Sequence, residues 1–299
     1  MAAVTVLPVD RHELAESPRW DVATGTMSWV DIPAGRLTVA RPLPDAQLEI
    51  LRTLDLDEPV GCAFRLGDAR FLLAMGRRLG FVSALGDVTT SRDLLPEHQR
   101  FNDGVIDPAG RLIVGSTSRD PAGPHEGNVL VRLEHDGAVT TLDDGLGISN
   151  GLAFSPDGRT LYSVDSAAGD IYARDYDAET GAVGPRRVAV HIDDEGVEPD
   201  GLAVDADGGL GVALWGGGAV RRYTPDGALD RELAIDAPHV TAIAFIGSHL
   251  QHALVTTAMR DLDEDARARF PDAGRLVVVS DLGATGLPAY RWRPGPLPD

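Results

Sequence analysis

The 299-residue sequence predicts an all-β fold, a six-bladed β-propeller, on three observations. Its 34 Gly and 20 Pro are spread along the whole length with short Val, Leu, Ile and Ala runs between them, so turns recur too often for long helices. One segment pattern repeats: a small-residue pair, an apolar strand, an Asp-Gly turn or a relative of it, then a second strand. The copies return at steps of 40 to 50 residues, the spacing of blades that are each a four-stranded sheet around a central channel.

The first copy opens at Ser17, with Ser17-Pro-Arg-Trp-Asp21 followed by Met27-Ser-Trp-Val-Asp31. The second opens at Gly61, with Phe71-Leu-Leu-Ala74 as its second strand, and the third runs from Asp103-Gly104 through the turn Asp107-Pro-Ala-Gly110 to Ser116. The fourth, Asn150 through Ser155-Pro-Asp-Gly158 to Asp165, is the clearest. The fifth runs from Asp200-Gly201 to Leu214, and the sixth pairs Thr241-Ala-Ile-Ala-Phe245 with His252-Ala-Leu-Val255. A β-sandwich would not require evenly spaced copies with shared turn chemistry. No linker or low-complexity tract divides the chain, so residues 1–299 read as a single propeller domain. Residues 261–270 are the best helical stretch, and read as a charged loop insertion on the last blade.

A net charge of −19 argues against nucleic acid or an anionic membrane as a partner, since both require clustered positive charge. No run approaches the roughly 18 to 20 apolar residues of a membrane helix. The single cysteine, Cys62, cannot form an internal disulfide. The first ten residues lack the basic start of a secretory signal and their apolar stretch breaks at Pro8, so the expected location is cytoplasmic.

The residues just before each repeat should sit at the mouth of the channel. Glu16, Asn150 and Asp200 each precede a repeat, and Asn102-Asp103 precedes the one that opens at Gly104. Two carboxylates and an amide oxygen, with neither histidine nor thiolate, suit one hard divalent cation: Ca²⁺ first, then Mg²⁺ or Mn²⁺, with Zn²⁺ and Fe²⁺ also admissible. Asp and Asn before Gly are also ordinary turn formers, but turn chemistry alone does not account for a shared repeat phase. Three other motifs fail on context. Asp261, Asp263 and Asp265 mimic an EF-hand start, yet Ala266 stands where that loop needs Gly. Gly147-Ile-Ser-Asn-Gly151 matches a nucleophile elbow around Ser149, but a strand pattern follows where the elbow needs a helix. Gly216-Gly-Gly218 reads as a hairpin turn because no phosphate-loop Lys or helix follows.

Together, Glu16-Ser-Pro-Arg-Trp-Asp21 with Trp29-Val-Asp-Ile32, Arg100-Phe-Asn-Asp-Gly104 with Asp107-Pro-Ala-Gly-Arg111, Ile148-Ser-Asn-Gly-Leu152 with Ser155-Pro-Asp-Gly158, Pro199-Asp-Gly-Leu-Ala-Val204 with Trp215-Gly-Gly217, and Gly286-Leu-Pro-Ala-Tyr290 resemble the senescence marker protein/gluconolactonase/regucalcin family, in the family's order. The resemblance implies a six-bladed propeller with one divalent metal at the channel mouth on Glu16, Asn150 and Asp200. It implies hydrolysis of a small sugar lactone to the aldonic acid, with Arg100 and Asn102 holding the sugar. A sugar-contacting Glu of the family falls on Asp120, one methylene shorter, with Glu126 as the alternative. The usual Ser-Cys of blade six becomes Ala242-Ile243, which makes that wall more apolar. Asp200, ionised beside a cation, is the expected general base. A non-catalytic calcium- or ligand-binding propeller, or a hydrolase of other esters on the same fold, are the alternatives. Oligomeric state is left open.

Overall fold

The computed structural model describes residues 2–67, 69–120 and 126–299, and these residues form six four-stranded antiparallel sheets. The blades open with the strands Ala15–Asp21, Val60–Leu66, Gln99–Ile106, Ser149–Phe154, Glu198–Val204 and His239–Ile246. These six opening strands contact one another in a closed ring and so form the channel wall. All six repeat starts read from the sequence fall within them.

Blade 6 closes in a way the repeat did not announce. Its strands His239–Ile246, His252–Ala258 and Val277–Ser280 are completed by Ala3–Val6, with Ala3 opposite Ser280 and Val6 opposite Val277. The N-terminal strand thus covers an edge that would otherwise present unpaired backbone groups. Residues 281–299 then pass under the ends of the opening strands. Asp205 of blade 5 bridges to Gly286, Phe154 of blade 4 meets Tyr290 edge-on, and the Arg293 N–H donates to the Gly110 carbonyl of blade 3 at 2.9 Å.

Apolar side chains fill the spaces between blades. Val30 and Leu37 of blade 1 pack with Val60, Phe71 and Leu73 of blade 2, and Val220 of blade 5 packs with Val240 and Val255 of blade 6. Each such side chain contributes roughly 1.5–3 kcal/mol on burial. The helical expectation is met by Glu264–Arg269, where Asp263 accepts from the Ala266 N–H at 2.8 Å and Arg267 and Arg269 occupy the last turn. No helix among the described residues is long and apolar enough to cross a membrane.

One irregularity recurs in every blade. Each opening strand slips register against its neighbour at the same place, and the residue entering or within the slip is Glu16, Val60, Asn102, Asn150, Asp200 or Val240. A bulge re-aims a side chain out of the strict alternation of a strand. Glycine follows where neighbouring strands crowd: a Cβ at Gly151 would overlap the Asp200 carbonyl oxygen, and one at Gly201 would overlap Ala242. The bulges and these close approaches bring residues from distant parts of the sequence to one level of the channel.

Candidate metal and substrate site

Glu16, Asn102, Asn150 and Asp200 are all buried at this level, and with Arg100 they line a cavity of about 270 Å³. Val60 and Val240, at the same position of blades 2 and 6, point into the cores between blades instead. The polar members hold one another in place. Asn150 Nδ2 donates to Ser166 Oγ at 3.2 Å and to Asp200, which leaves the amide carbonyl as its remaining group. The Ser17 N–H donates to Glu16 Oε2 at 3.0 Å. Arg100 Nη1 donates to Asn102 Oδ1 at 2.8 Å and to the Phe101 carbonyl at 3.0 Å, and Asn102 Nδ2 donates to the Ser149 carbonyl at 3.1 Å. Asn102 is therefore engaged at both ends, bracing Arg100 against blade 4.

The electrostatics call for a positive charge. Burial pushes the Glu16 carboxyl up to about 8, reinforced by Asp103 and partly offset by the Ser17 N–H. Asp200 is held well above the usual carboxylate range by burial, then by Glu16, Asp103 and Glu198, with Asn150 opposing. Burial also raises Asp103, against Arg19 at 3.5 Å. Arg100 is lowered to about 10, mainly by burial and by Arg260. Two acids kept from ionising by burial and by each other lack the counter-charge a cation would supply.

The donor set fits such an ion. Asp200 Oδ1 is buried without a hydrogen-bond partner, a state that costs about 1–3 kcal/mol and that a bound cation would relieve. No cluster of three His, Cys, Asp or Glu that could hold a metal forms among the described residues, and the Asn150 amide oxygen lines the cavity beside the two carboxylates. Two carboxylates and an amide suit a hard, oxygen-seeking divalent cation.

Five of the six residues singled out in the sequence thus line one cavity. Asp120 does not: it is exposed, as is Glu126, on either side of residues 121–125, which lie outside the described residues, and neither lines the cavity. Ala242 and Ile243 are buried, with Ile243 in the core between blades 5 and 6. The sequence reading missed Thr117, Ser166, Trp215 and Arg260, which also line the cavity. They follow from antiparallel pairing, because the end of each second strand returns to the start of the first: Gln99 lies opposite Ser118, Ser149 opposite Asp165, and Glu198 opposite Trp215. Trp215 is held by stacking on His239, with ring centroids 3.9 Å apart. The insertion on blade 6 is not wholly solvated, since Arg260 and Asp261 reach the cavity. Ser149 lies inside a strand, buried with its hydroxyl unpartnered, and no helix follows it, so the elbow reading fails.

Comparison with known proteins agrees with this architecture. Residues 14–259 match the model of the SMP-30/gluconolactonase/LRE-like region. The chain is 36% identical to a pentonolactonase of Haloferax volcanii over 93% of this chain and 94% of that protein. It is 33% identical to regucalcin of Danio rerio over 95% and 96% of the two chains. The structure of a calcium-binding protein, regucalcin from Agrobacterium tumefaciens, superposes with a TM-score of 0.89 at 29% identity, covering 98% of each chain. Six blades, the ring of equivalent positions and these matches together make the chain a member of the SMP-30/gluconolactonase/LRE-like family, a propeller of the lactonase or regucalcin type.

Proposed function

We propose that this protein is a metal-dependent lactonase that opens a small sugar lactone to its aldonic acid. The observation that carries the proposal is the meeting of two buried carboxylates and an amide, with Asp200 Oδ1 unpartnered, in a cavity that Arg100 also lines. The similarity to a pentonolactonase supports the same substrate class. At about 270 Å³ the cavity lies just under the roughly 300 Å³ of the smallest drug-sized pockets, a volume suited to a single sugar ring.

In this reading Glu16, Asn150 and Asp200 hold one divalent cation, Ca²⁺ by preference. When bound, such an ion polarises the lactone carbonyl and stabilises the charge that develops on its oxygen, an effect of several kcal/mol. Beside such a charge Asp200 would hold the ionised form that burial disfavours, and its carboxylate would take a proton from the attacking water. Water's oxygen joins the carbonyl carbon, the ring C–O bond breaks, and the proton passes from Asp200 to the departing ring oxygen. The products are a carboxylic acid and a hydroxyl on one open chain. Arg100 is a rigid fork of donors, braced by Asn102, and it orients the ring hydroxyls so that the carbonyl faces Asp200.

Acid release from glucono-1,5-lactone and from pentonolactones, before and after EDTA treatment, tests the proposal. Activity that disappears with chelation and returns with Ca²⁺ supports it, and undiminished turnover without metal ends it. The likeness to proteins named regucalcin, one of them described as calcium-binding, favours a second reading in which the propeller binds calcium without catalysis. Measurable Ca²⁺ affinity with no turnover on any lactone of the panel would select that reading.

A further inference from the structure

We propose that the opposite end of the channel carries a second ligand site, one that takes a small aromatic carboxylate. A cavity of about 590 Å³ lies between blades 1 and 2 and the C-terminal segment, within the roughly 300–1,000 Å³ range of small-molecule pockets. It shares no lining residue with the cavity around Asp200. Trp20 and Asp21 close the strand that Glu16 helps to open, and Leu66 and Ile106 likewise end their strands, so the two cavities lie toward opposite ends of the opening strands.

Two features of the lining define the ligand. Trp20, Phe64, Phe81, Tyr290 and Trp292 face it, although the whole chain has only four Trp, five Tyr and seven Phe. Such walls favour a flat apolar body. Arg19, Arg65, Arg70 and Arg291 also line it, against the carboxylates of Asp21 and Asp87, which reverses locally the sign of a chain carrying −19. Asp21 lies 3.4 Å from Arg65 and 3.8 Å from Arg291, and Arg19 reaches Asp103 and the Gly104 carbonyl, so Arg19 and Arg65 are held in place while Arg291 stays largely exposed at the rim.

Two donors in this wall have no acceptor. Trp20 Nε1 and Arg19 Nε, on two of the lining residues, are buried without a hydrogen-bond partner, although neither atom is exposed to the cavity itself, so the call for an acceptor comes from the guanidinium groups that line it. A carboxylate supplies acceptors and negative charge together, and an aromatic ring fills the remainder. An aldonic acid lacks the apolar face, and a neutral arene lacks the acceptor, so neither satisfies both features. This site stands independently of the lactonase proposal.

Calorimetric titration of the full-length, Ca²⁺-loaded protein with 2-naphthoate tests the inference. One equivalent should bind, and 2-naphthalenemethanol and gluconate should each bind at least about tenfold more weakly, the effect of losing one charged or one apolar anchor. Arg291→Glu, at a side chain 73% exposed, should weaken naphthoate by about tenfold or more without altering Ca²⁺ binding or lactone turnover. Asp200→Asn should leave naphthoate binding unchanged. No binding at about 1 mM overturns the inference. So does binding lost in Asp200→Asn but kept in Arg291→Glu, which would put the ligand at the channel mouth.

Discussion

Blades 1, 4 and 5 share a backbone slip with blades 2 and 6, and place opposite chemistry on it. In the first group the residue at the slip is Glu16, Asn150 or Asp200, and in the second it is Val60 or Val240. The valines are fully buried and join the cores between blades, whereas the carboxylates are buried where their charge is opposed. Repetition of the fold therefore supplies six equivalent positions, and one side chain per blade decides whether a position packs into a core between blades or lines the cavity. The functional positions should be poor for metal-free stability and necessary for activity, and the structural ones the reverse.

The largest expected effect is at Asp200. Asp200→Asn should lower lactone turnover by about 10³-fold, as loss of a general base does. It should leave the melting temperature of the metal-free protein unchanged or higher, because it removes a carboxyl whose ionisation burial and Glu16 oppose. A large fall in metal-free stability would break the comparison.

Gly151→Ala should come next. Its Cβ would press on the Asp200 carbonyl oxygen, so it should cost about 1–3 kcal/mol of stability and weaken metal binding although it changes no ligand. Val60→Ala is the counterpart: loss of about 2 kcal/mol by chemical denaturation, with Ca²⁺ affinity and turnover retained. If Val60→Ala instead altered Ca²⁺ affinity as Asp200→Asn does, the division between blades would fail.

The smallest effect is a pH dependence. In the folded metal-free protein Glu16 titrates near 8, above its ordinary 4.5, so between these values the folded state holds a proton that the unfolded state has released. Stability from this group is complete below about 4.5 and is lost as the pH rises through about 8. Thermal melts of EDTA-treated protein between pH 5 and 8 should show a decline of a few degrees. Saturating Ca²⁺ should flatten it, because the metal displaces the proton. A decline that Ca²⁺ leaves untouched would place its cause elsewhere.

What could be read in the sequence was what local chemistry encodes. Asp-Gly and Pro-Asp-Gly turns mark the hairpins, so the opening strands were legible, and with them the phase that puts Glu16, Asn150 and Asp200 together. Non-local pairing was less visible. Ala3–Val6 is a short, mostly exposed strand with no turn signature of its own, and only its pairing with Val277–Ser280 gives it a role. Trp215 and Arg260 reach the cavity through the return of antiparallel strands rather than through the repeat phase. The aromatic and arginine-lined cavity depends on residues 288–295 folding back beneath blades 1 and 2, a contact across almost the whole chain. Ser149 shows the opposite case, a motif legible in the sequence that its strand context deprives of meaning.

The central claim is that Glu16, Asn150 and Asp200 jointly hold one divalent cation. Anomalous diffraction from crystals soaked in Mn²⁺ tests it most directly. The account predicts a single strong peak at the channel mouth, about 2.0–2.5 Å from a carboxylate oxygen of Glu16, Oδ1 of Asn150 and Oδ1 of Asp200. No peak there, or an ion bound elsewhere while lactone turnover still depends on metal, would contradict it.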